Sequence, residues 1–317
     1  MGNSLDGTYG VWLVSLFLET MLYGMGVLQA WAYFAAGPTD IASVKSTVLL
    51  VLTLETVQVA FVFRSSYFRF VERFGEIQLD LIWADSLQLL AAYVSAFVVQ
   101  LYFMSRIHKL TKGRSKFSLS AFGIYIILLL AVVQMVAGII QTVRSYELRS
   151  YLKLGETKPI TTLQAASSLA CDLLITLYLY LFLKSQKGDM MKTNSLMDML
   201  IYDAINRGVL TSLSSALNMI LFLAFPNAFW FFFGLAPNSK FYMNSMLATL
   251  NSRQRIRDKI GGNGKGWNST PMATLASNTP KKIQGQASFA AVDFEMASVD
   301  IPSSKPEDFL NSRGSVV

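Results

Sequence analysis

Glu19, Glu55, Asp85, Asp172 and Lys240 stand inside long apolar stretches of the chain. Carboxylates and an ammonium in such surroundings can pair with one another, line a ligand pocket or an ion path, or hold a conformational switch. They can also act simply as glue between helices. Gln58, Gln134 and Asn218 add neutral amides in the same kind of surroundings. Other chemistry is closed off by composition. The 317 residues include one histidine and one cysteine, His108 and Cys171. A structural zinc site takes about four Cys or His ligands and a catalytic one about three protein ligands. No intramolecular disulfide can form. A Ser-His-Asp arrangement would have to use His108, which sits in a basic segment. No catalytic residue, metal or cofactor is expected, and the chain does not read as an enzyme.

The elements that carry these residues follow from hydropathy. Hydrophobic residues make up 53% of the chain and charged residues 15%, against about 25% charged in a soluble domain. Mean hydropathy is +0.42. Such a chain cannot cover a water-facing surface of ordinary polarity. A helix crossing a bilayer needs about 20 mostly apolar residues. Seven runs qualify, near 9–34, 46–63, 79–103, 118–143, 160–183, 204–225 and 227–250. The fold class expected is therefore all-α: a polytopic membrane protein with seven transmembrane helices over 1–260 and a disordered cytoplasmic tail over 261–317. No Lys or Arg precedes the first run, which is longer than the apolar core of a cleaved leader, so it counts as a span. Proline in the Phe225-Pro226-Asn227 corner breaks the helical ladder and marks a tight hairpin between the last two spans.

At 1.5 Å per residue, Glu19 lies about 15 Å into its helix, Glu55 about 14 Å, Asp172 about 18 Å and Lys240 about 20 Å. Against a hydrocarbon core of about 30 Å these depths are central. A charge there costs at least about 2.5–3.5 kcal/mol on insertion scales. In a ring of seven helices the last one meets the first two, so Glu19 and Glu55 are the carboxylates within reach of Lys240. Glu55 is the better placed, with Gln58 one turn on along the same face. Asp85 falls nearer the mouth of helix three, where it and Glu19 could meet water.

Helix seven has two halves. Residues 227–236 are almost all aromatic or aliphatic. After Pro237 come Asn238, Ser239, Lys240, Tyr242, Asn244 and Ser245. Proline frees a carbonyl and bends a helix, and nearby Asn and Ser can satisfy the freed group in a dry setting. Pro237, Asn238, Tyr242, Asn244 and Ser245 thus form a candidate switch. The logic resembles that of the seventh helix of G-protein-coupled receptors, without their Asn-Pro-x-x-Tyr order. Lys240 also resembles the retinal-bearing lysine of microbial rhodopsins. Helix six, however, offers only Phe222 and Phe225 near one end toward an aromatic cage, and retinal is not expected. Small residues at Gly24, Gly26 and 165–168 suit close helix packing.

Lys and Arg fix the expected orientation. With the N-terminus outside, seven basic residues fall in outer segments and fourteen in inner ones. The C-terminus is then cytoplasmic. Residues 261–317 are charge-neutral and rich in Ser, Thr, Gly and Pro, too poor in apolar area to offset chain entropy. Arg253, Arg255, Arg257 and Lys259 directly follow helix seven. Such a cluster holds anionic inner-leaflet lipids at about 1 kcal/mol per charge. The expected partners are the bilayer, those lipids and a cytoplasmic signalling protein, with no nucleic acid.

Several strings carry a family resemblance: Cys171-Asp172 in an apolar run, 192–196 (KTNSL), 206–212 (NRGVLTS), 240–253 (KFYMNSMLATLNSR), and 103–107 (FMSRI) after helix three. The chain resembles a large group of seven-helix membrane proteins of mushroom-forming fungi that carry a domain of unknown function, over about 10–260. It departs from that pattern at Arg207, where a small or polar residue such as Thr is expected. The resemblance implies location and topology, and no activity. The span number, orientation, basic inner segments and kinked helix seven point to a receptor-like or sensing protein at the plasma membrane. A transporter or channel and a lipid-binding scaffold are the alternatives, the former weakened by the lack of any internal repeat.

The orientation has a direct test. A reporter active only in the cytosol, fused after Val317, should be active. Activity of an exported reporter there instead would mean that the orientation or the span number is wrong.

Overall fold

The computed structural model describes residues 6–37, 40–76, 78–111, 118–185, 191–225 and 229–261. These form seven α-helices: α1 (Val11–Ala35), α2 (Ala42–Tyr67), α3 (Trp83–Thr111), α4 (Ser118–Leu148), α5 (Lys158–Ser185), α6 (Met191–Ala224) and α7 (Phe232–Gly261). The expected tail beyond Gly261 and the Pro226-Asn227 corner lie outside the described residues.

Several boundaries move from their expected places. Helix α2 runs on through a π-helical turn, Phe68–Glu72, so Arg69 belongs to a helix and not to a loop. Helix α3 starts at Trp83 instead of 79. The residues before it are extended and pair with the α4–α5 connection: the Tyr151 N–H donates to the Leu79 carbonyl at 2.7 Å, and the Leu81 N–H to the Arg149 carbonyl at 3.1 Å. Arg149 holds a φ of 51°, a left-handed turn that sets up this pairing. Helix α3 also continues to Thr111, which puts His108 in its last turn. Helix α6 begins at Met191 instead of 204, so Arg207 lies well within it.

Sequence neighbours pack as neighbours in space, and α7 closes the ring onto α1. Helix α3 sits toward the middle, touching α2, α4, α5 and α7. The end where α1 begins is called proximal here, and the end where α7 finishes distal. An aromatic cluster of Trp12, Tyr151, Phe222, Phe229, Phe231 and Phe232 closes the proximal end.

The polarity is inverted relative to a soluble bundle. Leu13, Phe17 and Leu28 on α1, Leu129 and Val136 on α4, and Leu213 and Ile220 on α6 are exposed. Glu55, Ser95, Gln100, Asp172, Thr211 and Lys240 are 0% exposed. A continuous apolar exterior of this kind suits lipid and not water. Six stretches are long and apolar enough to cross a membrane: Asp6–Ala35, Ala42–Glu72, Trp83–Lys109, Phe122–Leu148, Tyr151–Ser185 and Leu200–Ala224. Helix α7 is not among them, because its second half is polar and basic. It is also enclosed: among the described residues, none from 231 to 253 is exposed.

Spacing explains which side chains turn inward. Trp12, Ser15, Glu19, Gly26, Ala30 and Tyr33 recur at helical intervals and form the buried face of α1. Val48, Val51, Glu55, Gln58, Val62 and Ser65 do the same on α2. Each acid therefore shares a face with the small and apolar residues that pack the core. The small residues divide. A Cβ at Gly234 would stand 2.3 Å from the Asn218 backbone nitrogen, so α6 and α7 meet there at backbone distance. Gly26 faces Met243 and Asn244. Gly24, expected at a packing face, has open space around it, and Ala166 is likewise exposed.

Overpacking at a rigid backbone contact costs about 1–3 kcal/mol. Gly234→Ala should lower thermal stability in detergent by about that much, whereas Gly24→Ala should stay within about 0.5 kcal/mol of wild type. Equal melting temperatures for the two variants would contradict the close α6–α7 approach.

Candidate functional site

Lys240 lies at the junction of α1, α2 and α7. Its ammonium Nζ is 2.6 Å from Glu19 Oε1 and 3.1 Å from Glu55 Oε2. The ammonium is fully buried and Glu19 is 3% exposed, so Glu19 does not reach water as expected. The preference for Glu55 over Glu19 gives way to a shared pair. Around Glu55 the donors are numerous: Ser95 Oγ donates to Oε1, and Ser239 Oγ lies 3.1 Å from Oε2. Ser239 Oγ is also 2.8 Å from Gln58 Oε1. A hydroxyl has one hydrogen to give, so Gln58 and Glu55 compete for it.

A second cluster occupies the interior between α3, α5, α6 and α7. Tyr242 donates its hydroxyl hydrogen to Asp172 Oδ2. Gln100 Nε2 donates to Asp172 Oδ1 at 3.2 Å and lies within 3.3 Å of both Gln134 Oε1 and the Tyr242 hydroxyl. Arg207 stands 3.7 Å from Asp172 Oδ1, close enough for an ion pair and too far for a good hydrogen bond. Its guanidinium carbon lies 3.6 Å from the centre of the Phe103 ring, a cation–π contact in a desolvated place.

The third cluster sits under the proximal aromatic cap. Arg69 Nη2 is 2.7 Å from Asp85 Oδ2, with both side chains essentially unexposed. Asp85 also accepts from the Ile82 N–H at 2.9 Å, which caps the start of α3. The Arg69 guanidinium packs against Trp12, at 4.5 Å, and Tyr151, at 5.2 Å. Asp85 was expected near an aqueous mouth; the α2 extension instead brings a buried arginine onto it.

Helix α7 joins the first two clusters. At about 100° per residue, Lys240 and Tyr242 point to nearly opposite sides, one toward Glu19 and Glu55, the other toward Asp172. Pro237 stands one turn before them. The other expected switch residues are distributed along the same helix. Asn244 Nδ2 donates to the Leu22 carbonyl at 2.9 Å and the Lys240 carbonyl at 2.8 Å, tying α7 to α1. Ser245 donates to the Tyr242 carbonyl within its own helix. Asn238 Oδ1 is buried with no hydrogen-bond partner. Arg253, expected at the lipid surface, is instead 3.2 Å from Asp40 Oδ1, because the connection after α1 brings that carboxylate alongside. The side chains of Arg255, Arg257 and Lys259 lie outside the described residues.

Two cavities, of about 30 and 40 Å³, lie between the clusters and the aromatic cap, and Gln88, Leu89, Phe232 and Leu235 border both. Ser15, Glu19 and Gln58 line the first. Asp85, Gln141 and Asn218 line the second, so Asn218 belongs there and not with Lys240. Each has room for only a few water-sized particles.

The sequence reading missed Arg69, Arg207, Gln100, Ser95 and Ser239. Arg69 stands beyond the expected end of its apolar run and Arg207 in the first turn of its own, where a basic residue reads as a loop charge. The departure at Arg207 was the one visible signal. Gln100 sits inside the third apolar run, on the buried face seven residues from Tyr93 and three from Phe103, and its polarity there could have marked it.

Residues 168–255 match a protein-family profile described as a family of unknown function (DUF6534). No curated protein and no solved structure matches the chain. The matched segment holds Asp172, Arg207, Lys240 and Tyr242, while Glu19, Glu55, Arg69 and Asp85 lie ahead of it.

Removing one member of a buried pair typically costs about 3–5 kcal/mol, more than removing both. Lys240→Met should be strongly destabilising, because it leaves Glu19 and Glu55 facing each other. Glu55→Gln alone should be milder, since Lys240 keeps Glu19. The double variant Lys240→Met/Glu55→Gln should regain only part of the loss, because Glu19 still stands without its ammonium, and adding Glu19→Gln should regain most of it. A double-mutant cycle on thermal stability measures the coupling, and strict additivity would mean that Lys240 and Glu55 do not interact.

Proposed function

We propose that this chain is a seven-span membrane protein of the plasma membrane that senses a signal and passes it to a cytoplasmic partner. The observation that carries the reading is that one proline-containing helix, α7, holds an ion-paired lysine on one side and the Asp172-bonded tyrosine on the other. A shift or rotation of α7 must therefore disturb both clusters at once. Packed, hydrogen-bonded interiors have discrete arrangements and do not deform continuously, which is the property a switch needs.

The enclosure of α7 supports its being the seventh span. A helix that meets other helices on all sides needs no lipid-facing surface, so low hydropathy does not count against it. The excess of Lys and Arg in the segments at the distal end supports an outside N-terminus and a cytoplasmic C-terminus. Arg69 is buried against Asp85, so it drops out of the proximal loop charge and the asymmetry grows. Arg255, Arg257 and Lys259 would then meet anionic inner-leaflet lipids, and the distal segments would meet the signalling partner. No turnover of a substrate enters this reading, and the fungal seven-helix resemblance fits it.

Heterotrimeric G-protein subunits are the partner to test first, by co-purification with the full chain from cross-linked membranes. Recovery of the subunits, reduced by the triple variant Lys240→Met/Glu19→Gln/Glu55→Gln, which strands no charge, is the expected result. Solute uptake or conductance by the purified chain in proteoliposomes, with no subunits recovered, would overturn sensing in favour of transport.

A further inference from the structure

Charge does not balance at the α1–α2–α7 junction. Two carboxylates, Glu19 and Glu55, face one ammonium, Lys240. The neighbouring α3 contributes Ser95 and Gln88, both neutral. If both acids are ionised, the junction carries one surplus negative charge, which a dry interior does not tolerate uncompensated. The two acids are not equivalent. Glu55 has Ser95, Ser239 and Lys240 around it. Glu19 has Lys240 on one oxygen and borders the 30 Å³ cavity.

The rest of that cavity wall is mostly apolar, with Ser15, Gln58 and Gln88 as its polar members. Ser15 lines it, is 3% exposed, and its Oγ has no hydrogen-bond partner. Gln58 and Gln88 line it as well, and the Gln58 carbonyl oxygen shares a single hydroxyl hydrogen with Glu55. An unpartnered hydroxyl thus stands beside a surplus carboxylate. Oxygen donors of this kind suit a hard cation. The volume admits a few particles the size of water, which favours a small ion over an organic cation. A single positive charge closes the balance, and a divalent ion would overshoot it.

We propose that the cavity bounded by Ser15, Glu19, Gln58 and Gln88 binds one small monovalent cation, with the charge and size of sodium, as the counter-ion of Glu19. Glu19 supplies the charge, Ser15 and the two amides supply neutral oxygens, and Lys240 stays shared between Glu19 and Glu55. The site adjoins the helix proposed above as the switch, so its consequence for signalling rests on that reading, whereas ion binding itself does not.

The test uses the full chain purified in detergent at fixed pH, with sodium chloride replacing choline chloride at constant ionic strength. A ligand that binds only the folded state raises the melting temperature by mass action. The melting temperature should rise and saturate with sodium, and rise less with potassium. Ser15→Ala removes one ligand oxygen and leaves the ion pairs intact; it should move the sodium midpoint up by about tenfold, the equivalent of one modest contact. Glu19→Gln should flatten the response, and if that variant does not fold, Ser15→Ala carries the test alone. Identical melting in sodium and choline overturns the proposal, as does a Ser15→Ala midpoint equal to wild type. Melting that follows pH and ignores sodium also overturns it, by assigning the compensating charge to a proton. Sodium binding without partner recovery would fail only the signalling reading, and partner recovery without sodium binding only the ion site.

Discussion

A cation taken out of water has to be met by an anion, and three buried cations among the described residues follow that rule. Lys240 meets Glu19 and Glu55, Arg207 meets Asp172, and Arg69 meets Asp85. Each pair joins different helices: α7 to α1 and α2, α6 to α5, and α2 to α3. Helices in lipid gain little from apolar burial against one another, since lipid tails are as apolar as leucine. Packing and polar contacts must then decide which helices are neighbours. Charges placed one pair per junction do this with high discrimination, because any other arrangement strands an ion.

Close packing supplies the rest. The backbone-distance contact at Gly234 and the seating of Gly26 against Met243 bring α7 hard against α6 and α1. Ser214 Oγ donates to the Gly234 carbonyl at 2.7 Å, one turn ahead of Pro237 where the helical ladder is interrupted. The aromatic cluster over the proximal end then covers Arg69 with two rings, Trp12 and Tyr151, and Trp12 also donates its indole N–H to Ser66 Oγ at 2.8 Å. Polar interior, small-residue contacts and aromatic cap are three answers to the same dry environment.

The seven helices and the inward turn of Glu19, Glu55 and Lys240 were legible because they depend on local pattern: run length, and the 3–4 spacing that puts an acid on the same face as core residues. Pairing was less legible. Which carboxylate meets Lys240 depends on how α1, α2 and α7 cross, and no spacing within one helix encodes that. Arg69 and Arg207 were hidden for a different reason. Arg69 stands beyond the end of its apolar run and Arg207 in the first turn of its own, where a basic residue reads as a loop marker, and the extended boundaries of α2 and α6 place both well within helices. Arg253 shows the converse. Its place in a basic run suggested lipid, and a single aspartate from a distant connection, Asp40, claims it.

The enclosure of α7 also bears on how the protein is made. A helix this polar gains little by entering lipid on its own, and it is the last of the seven to leave the ribosome. Glu19 is synthesised 221 residues before the lysine that pairs with it. If α7 is the seventh span, as proposed, the earlier helices must wait in the bilayer with unmatched carboxylates, and α7 enters as the final stave of a barrel already standing. Its insertion and the completion of the tertiary structure would then be a single event.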